Sequence, residues 1–258
     1  MEKYETLYKH HHQNPELSNQ EAKTAKAVVE RLSDLKAFEI TTDIGGHGLV
    51  GIMRNGPGKT IMLRSDMDAL PVKEATGLPY ASTVIMSDAD GVDRPVMHAC
   101  GHDMHMACLV AAAEILVKLK DEWSGTLLVL FQPAEERGTG AKAMVDDGLY
   151  TKHKIPVPDF VLGQHVVSMR AGSIGSKVGT IMAGADSMRI TLFGKGGHES
   201  QVMHTPNPRP QTLLMGSQRL ITKSSHTGPL TLLSWQLTSS SDCRQSSAGR
   251  LTQPICRS

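Results

Sequence analysis

The sequence has no surplus of charge, no long apolar run and little cysteine, and each shortage closes off a class of function. Lys and Arg number 27 against 26 Asp and Glu, a formal net charge of +1, so the chain offers no electrostatic footprint for a nucleic acid or a membrane surface. No apolar stretch approaches the ~20 residues that cross a bilayer. Residues 1–13 are polar and basic, without the apolar segment of a secretory leader, and the reading expects a soluble, cytoplasmic protein. The four cysteines, Cys100, Cys108, Cys243 and Cys256, show no close pairing pattern, which suits free thiols in a reducing compartment better than a disulfide framework. With 258 residues, 40% of them hydrophobic, the chain can bury a real core in one large domain or two smaller ones.

What is present is concentrated. Val96-Met97-His98-Ala99-Cys100-Gly101-His102-Asp103-Met104-His105 gathers a thiol, three imidazoles and a carboxylate. A cysteine and a histidine two residues apart can reach one metal ion where the backbone between them is extended or tightly turned, and Gly101 permits both. Upstream, Ser18-Asn19-Gln20-Glu21 reads as a capping box for an amphipathic helix running from Ser18 to about Leu35. His10, His11 and His12 precede it in a polar leader, read as solvated and left out of the site.

The strand signals then form a series. Phe38–Thr42 and Gly48–Met53 suggest a hairpin. Thr60–Arg64 reads as a buried strand with Ser65-Asp66-Met67-Asp68 at its carboxyl end, where open α/β sheets hold their ligands. Asp66 and Asp68 face the same way in extended backbone, so one could orient a metal-bound histidine or water; a pair of solvated turn carboxylates is the equal alternative. Pro71–Val96 is loop-like in composition and delivers the chain to the cluster. From Asp103 to about Lys120 a helix apolar nearly all round is expected to be buried, with Cys108 as a core thiol. The cluster therefore lies at a helix N-terminus, whose dipole favours a thiolate at Cys100. Thr126–Phe131 is another buried strand and ends in Gln132-Pro133-Ala134-Glu135-Glu136. The adjacent glutamate side chains diverge in extended backbone, so one can ligate a metal while the other acts as general base; a surface pair is the plain alternative. After a short helix over Ala141–Asp147, Asp159–Val166 makes the third strand of the series and carries His165. A parallel sheet would gather Cys100, His102, Glu135, Glu136 and His165 at one edge. Such a ligand set suits zinc, manganese, cobalt or nickel and not calcium.

These residues match a known pattern. His98-Ala99-Cys100-Gly101-His102-Asp103, Gln132-Pro133-Ala134-Glu135-Glu136 and Gly163-Gln164-His165 resemble the aminoacylase and hippurate hydrolase family. This is the amidohydrolase branch of the carboxypeptidase-like metallopeptidases that includes the plant indole-acetyl amino acid hydrolases. Asn14-Pro15-Glu16-Leu17-Ser18, Arg64-Ser65-Asp66-Met67-Asp68-Ala69-Leu70-Pro71, Gly77-Leu78-Pro79-Tyr80 and Gly194-Lys195-Gly196-Gly197-His198 extend the match over roughly the first 200 residues. The resemblance implies metal-dependent hydrolysis of N-acyl amino acids or similar small amides. It implies two divalent metal ions, manganese or zinc, bound by Cys100, His102, Glu136 and His165, and Glu135 as the base that takes a proton from the bridging water. It also implies Asp66 as an orienting carboxylate, and His198 as a turn histidine that approaches the substrate carbonyl or carboxylate. His98 and His105 are left to support the ligands from behind. The implied fold is α/β, a mixed, largely parallel sheet sandwiched by helices, with a smaller α+β lid or dimerisation domain that makes the family homodimeric.

In this frame residues 1–178 form the catalytic metal-binding segment, 179–201 the start of the lid, and 202–258 a divergent tail, poorly ordered, without sustained helical or strand period. The resemblance implies one more metal-binding histidine beyond residue 201, and neither His204 nor His226 has the right context. The expectation is an altered or out-of-frame tail, weak binding of at least one metal, and little or no activity. Two other readings compete: a non-catalytic fragment that binds a metal or partner, and a thiol hydrolase with Cys100 as nucleophile. The thiol reading ranks last, because it leaves the glutamate pair unused.

Overall fold

The computed structural model describes residues 2–179 with their side chains and the backbone of two further strands, 186–194 and 209–217. It divides into a unit of residues 1–169 and a second of residues 170–258.

The first unit opens with helix α1 (Glu2–Gln13) and helix α2 (Ala22–Asp34). Helix α2 begins four residues later than the capping box predicts, because the box never forms. Ser18 Oγ donates instead to Asp68 Oδ2 at 2.7 Å, and the Glu21 carboxylate turns inward. The cap comes from Glu16, whose Oε2 accepts the Thr24 amide at 2.8 Å and the Thr24 hydroxyl at 2.9 Å. Thr24, Val28 and Leu32, four residues apart, make the buried stripe of this helix.

The expected hairpin is present as β1 (Glu39–Ile44) and β2 (Gly48–Asn55), followed by β3 (Thr60–Asp66). The stretch from Pro71 to Val96 is mostly loop, with a small hairpin of β4 (Ile85–Ser87) and β5 (Asp93–Pro95). Helix α3 (His102–Lys118), β6 (Gly125–Gln132), helix α4 (Gly140–Asp146) and β7 (Phe160–Gly163) complete the unit. The sheet order is β1-β2-β6-β3-β7. β1 with β2 and β2 with β6 are antiparallel, whereas β3 lies parallel to both β6 and β7. The sheet is mixed, and its parallel half is the part that carries the site.

Period-two alternation along β6 builds the sandwich. Leu127, Val129 and Phe131 pack with Leu49 and Met53 against Leu7 of α1, Val28 and Leu32 of α2, and Met106 and Val110 of α3. Leu128 and Leu130 point the other way, toward Val50, Ile52, Met62, Met144, Leu149 and Ile155. Helices thus cover one face, and α4 with the segment behind it covers the other.

Three expectations are corrected. His11 and His12 are buried, not solvated, because α1 lies against α3. Cys108 is exposed, on the side of α3 turned away from the core. The strand that carries His165 stops at Gly163 and is exposed along its length as a sheet edge. In the second unit β8 (Asp186–Gly194) pairs antiparallel with β9 (Arg209–Ser217), a strand in the stretch given no strand period from sequence. No helix among the described residues is long and apolar enough to cross a membrane.

Candidate metal centre

Three chain segments meet at the carboxyl edge of the parallel strands: the start of α3, the exit of β6 and the residues just after β7. Cys100, His102 and His165 each bring a ligand atom to within 4.8 Å of the others, and so do His102, Glu135 and Glu136. His102 belongs to both groups and is the hub.

Hydrogen bonds fix which nitrogen of each histidine is available, since the partner of one ring nitrogen sets the state of the other. His102 Nδ1 donates to the Asp68 carbonyl at 2.8 Å, leaving Nε2 bare, and that atom is buried with no hydrogen-bond partner among the described residues. His165 Nδ1 donates to the Val166 carbonyl at 2.7 Å, which turns Nε2 toward Cys100 Sγ, 3.3 Å away. His105 is spent on both sides. Its Nδ1 donates to Asp66 Oδ1 at 2.7 Å and its Nε2 accepts the Val166 amide at 3.0 Å. Asp66, His102 and His105 also lie close enough to hold an ion, but with both His105 nitrogens engaged this group is a support. Its ring lies 4.6 Å from that of His165 and backs it.

The two aspartates at the end of β3 are buried at 1% exposure each, which removes the solvated alternative. Their jobs differ. Asp68 gathers the Ser18 hydroxyl and the Glu136 amide, at 2.7 and 3.0 Å, and its backbone carbonyl takes His102. Asp66 holds His105 and pairs with Arg64 at 2.8 Å, while its Oδ2 lies 3.5 Å from His102 Nε2. Burial works against ionisation of Asp66, yet the His105 hydrogen bond and the charges of His102 and Arg64 hold its carboxyl down at about 2.

The glutamates do not diverge as extended backbone would require. Glu135 Oε2 and Glu136 Oε1 both lie 3.7 Å from His102 Nε2. The reason is local: Ala134 sits at φ +46°, and the chain turns at once, with the Gly138 amide on the Glu135 carbonyl at 2.8 Å. Exposure separates the pair, at 39% for the Glu135 side chain and 17% for Glu136. Burial and the charge of Glu135 raise the Glu136 carboxyl, with His102 opposing. The thiol also departs from expectation. Burial, then the nearby Glu136, Glu135 and Asp66, push Cys100 up to about 12, so the group is a thiol and not the thiolate expected at a helix N-terminus unless a cation is added.

The donor set fits a divalent metal. A buried bare imidazole nitrogen and the Glu136 Oε1 atom, likewise without a partner among the described residues, face one another beside a thiol and a second imidazole. A borderline dication satisfies such atoms.

The model of Peptidase family M20/M25/M40 matches residues 62–181, the span that contains every residue of this cluster. The chain carries a domain of peptidase family M20/M25/M40. Thermostable carboxypeptidase 2 of Saccharolobus solfataricus is 43% identical over 202 residues, 76% of this chain and 48% of that protein. The hippurate hydrolase of Campylobacter jejuni is 39% identical over 219 residues, 83% and 53% respectively. Among solved structures, the Bacillus subtilis YXEP protein, a dinuclear metal binding peptidase from the M20 family, superposes with a TM-score of 0.64 at 32% identity, covering 75% of this chain and 51% of that one. The chain spans about half the length of the relatives it matches.

Of the residues singled out from sequence, the M20 domain brings Cys100, His102, Glu135, Glu136, His165 and Asp66 together, and His198 lies outside the described residues. Sequence reasoning read Ser18 and Glu21 only as a helix start and missed their contacts with the site, whereas His105, read as a support for the ligands, bonds Asp66 and Val166 behind them.

Proposed function

We propose that this chain is a metal-dependent hydrolase of N-acyl amino acids or similar small amides. The observation that carries the reading is His102 Nε2: buried, unpartnered among the described residues, and 3.7 Å from both glutamates. Cys100, His102, Glu136 and His165 would hold two divalent ions, manganese or zinc. Bound there, such ions lower the pKa of water and polarise the amide carbonyl.

The protein's own groups supply the rest. Asp68 and Val166 fix the tautomers of His102 and His165, so both present bare nitrogens. Glu135, the more open glutamate, takes a proton from the attacking water and returns it to the leaving nitrogen. Glu136, more sheltered and tethered through its amide to Asp68, is the ligand. His198 approaches the substrate carbonyl or carboxylate, and the segment from 179 to 201 begins a lid through which two copies associate. The relatives named for hippurate hydrolysis and, in Bacillus subtilis, for N-acetyl-L-cysteine deacetylation set the first substrates to try.

The test uses the full chain with Mn²⁺ or Zn²⁺. Titration calorimetry should show metal binding, and hippurate or an N-acetyl amino acid should be hydrolysed in a chelator-sensitive way. Glu135→Gln should keep the metal and lose ~10²–10⁴-fold in turnover. Hydrolysis that survives both the chelator and this substitution would falsify the reading.

A further inference from the structure

The loop that presents Glu135 and Glu136 is not held by its own strand. It is held by a carboxylate from another part of the chain. Glu21 is fully buried at 0% exposure, and its Oε1 accepts two backbone amides, Ala134 at 2.8 Å and Asn19 at 2.9 Å. Both donors lie in left-handed backbone, Ala134 at φ +46° and Asn19 at φ +66°. An alanine there is strained and persists only where its surroundings impose it, while asparagine tolerates the region better. One buried oxygen thus ties down two left-handed positions, one of them strained, in two segments.

The same six residues also hold the other strand exit. The Ala69 amide donates to the Glu16 carbonyl at 2.8 Å, and Ser18 donates to Asp68. The stretch from Glu16 to Glu21 therefore bridges the end of β3, which carries Asp66 and Asp68, to the end of β6, which carries the glutamates. Helix capping, the role its sequence suggested, leaves these contacts unexplained.

We infer that Glu21 is a positioning residue for the Glu135-Glu136 turn, acting as a hydrogen-bond acceptor and not as a charge. Its other oxygen, Oε2, has no partner among the described residues, so an amide in its place loses nothing that the turn uses. The inference rests on the functional reading of the two glutamates given above.

Kinetics and hydrogen exchange on the full chain test it. With Mn²⁺ bound, Glu21→Leu should lose ~10²-fold in kcat with little change in KM, the cost of displacing a catalytic group by about an ångström. Glu21→Gln, which keeps the acceptor, should stay within ~3-fold of wild type on the same argument. The Ala134 amide should be protected from exchange in the wild type and in Glu21→Gln, and not in Glu21→Leu. Wild-type kcat in Glu21→Leu, an equal loss in Glu21→Gln, or an unprotected Ala134 amide in the wild type would each overturn the inference. Should Glu21→Leu not fold, the glutamine variant and the wild-type amide decide it. A wild-type chain that hydrolyses nothing counts against the functional reading alone, because the exchange experiment needs no turnover.

Discussion

Two adjacent histidines in α1 show how environment alone sets a residue's chemistry. His12 is flanked by carboxylates, Nδ1 at 2.6 Å from Asp103 Oδ2 and Nε2 at 3.0 Å from Glu74 Oε1. Burial lowers its affinity for a proton, but the two hydrogen bonds and charges outweigh burial and raise it. His11 is buried to the same degree without such a partner, and its Nε2 bonds nothing among the described residues. Burial first, then the neighbouring His10 and Arg31, push His11 down to about 4. The sign follows from linkage. Above the ordinary histidine value of about 6.5, His11 is neutral folded or unfolded and makes no pH-dependent difference. Between there and about 4 the unfolded chain takes a proton that the folded chain refuses, so stability falls with pH by roughly 3 kcal/mol in total. Replacing His11 by Leu should therefore leave denaturation midpoints near wild type at pH 7.5 and raise them relative to wild type at pH 4.5. Parallel pH profiles for the two proteins would show that His11 is not the group responsible.

At the scale of elements, the first turn of α3 and the residues after β7 behave as one piece. Gly101 begins the helix at φ +83°, and a Cβ there would lie 2.4 Å from Val166 Cγ2. Val166 is also the residue whose amide His105 accepts and whose carbonyl orients His165. Glycine at 101 is thus required twice, by its backbone and by the closeness of the segment that carries a ligand. Gly101→Ala should cost about 1–2 kcal/mol in backbone strain and shift Val166, drawing His165 away from Cys100. Losing that support should weaken metal binding by ~10–100-fold. Trimming the obstruction with Val166→Ala in the same chain should restore part of the affinity. Calorimetric titration with Mn²⁺ of the single and double variants measures both effects. A Gly101→Ala protein that binds as tightly as wild type would mean that His165 is not held through this contact.

For the whole molecule, what could be read from sequence divides along a physical line. Apolar patterning is local, so β6, the hairpin, α3 and the placing of Cys100, Glu135, Glu136 and His165 at neighbouring ends were all legible. Partner choice by polar groups is not local. Ser18, Glu16 and Glu21 looked like one helix start, yet they bond Asp68, Ala69, Thr24 and Ala134. Likewise nothing in a run of histidines announces that Asp103 and Glu74 will close over one of them. The site shows the same distance in sequence: His102 is surrounded by four carboxylates, Asp66, Asp68, Glu135 and Glu136, of which Asp66 and Asp68 are almost wholly buried. Against burial, their own partners hold the two aspartates ionised, Asp66 through His105, His102 and Arg64 and Asp68 through His102, Ser18 and the Glu136 amide. Only the folded chain gathers Cys100, His102, Glu136 and His165 around one point, so a dication binds the folded state in preference to the unfolded one. Metal should therefore act as a folding ligand. At a free concentration 100 times Kd, one site contributes about 2.7 kcal/mol. Since 1 kcal/mol moves the melting point of a domain this size by about 2–4 °C, saturating Mn²⁺ should raise Tm by roughly 5–10 °C. A chelator should return it to the metal-free value. Calorimetric scans with and without metal read this directly. An unchanged Tm, at metal concentrations where titration shows the site filled, would mean that the unfolded chain binds the ion as tightly as the folded one and that the fold does not assemble the site.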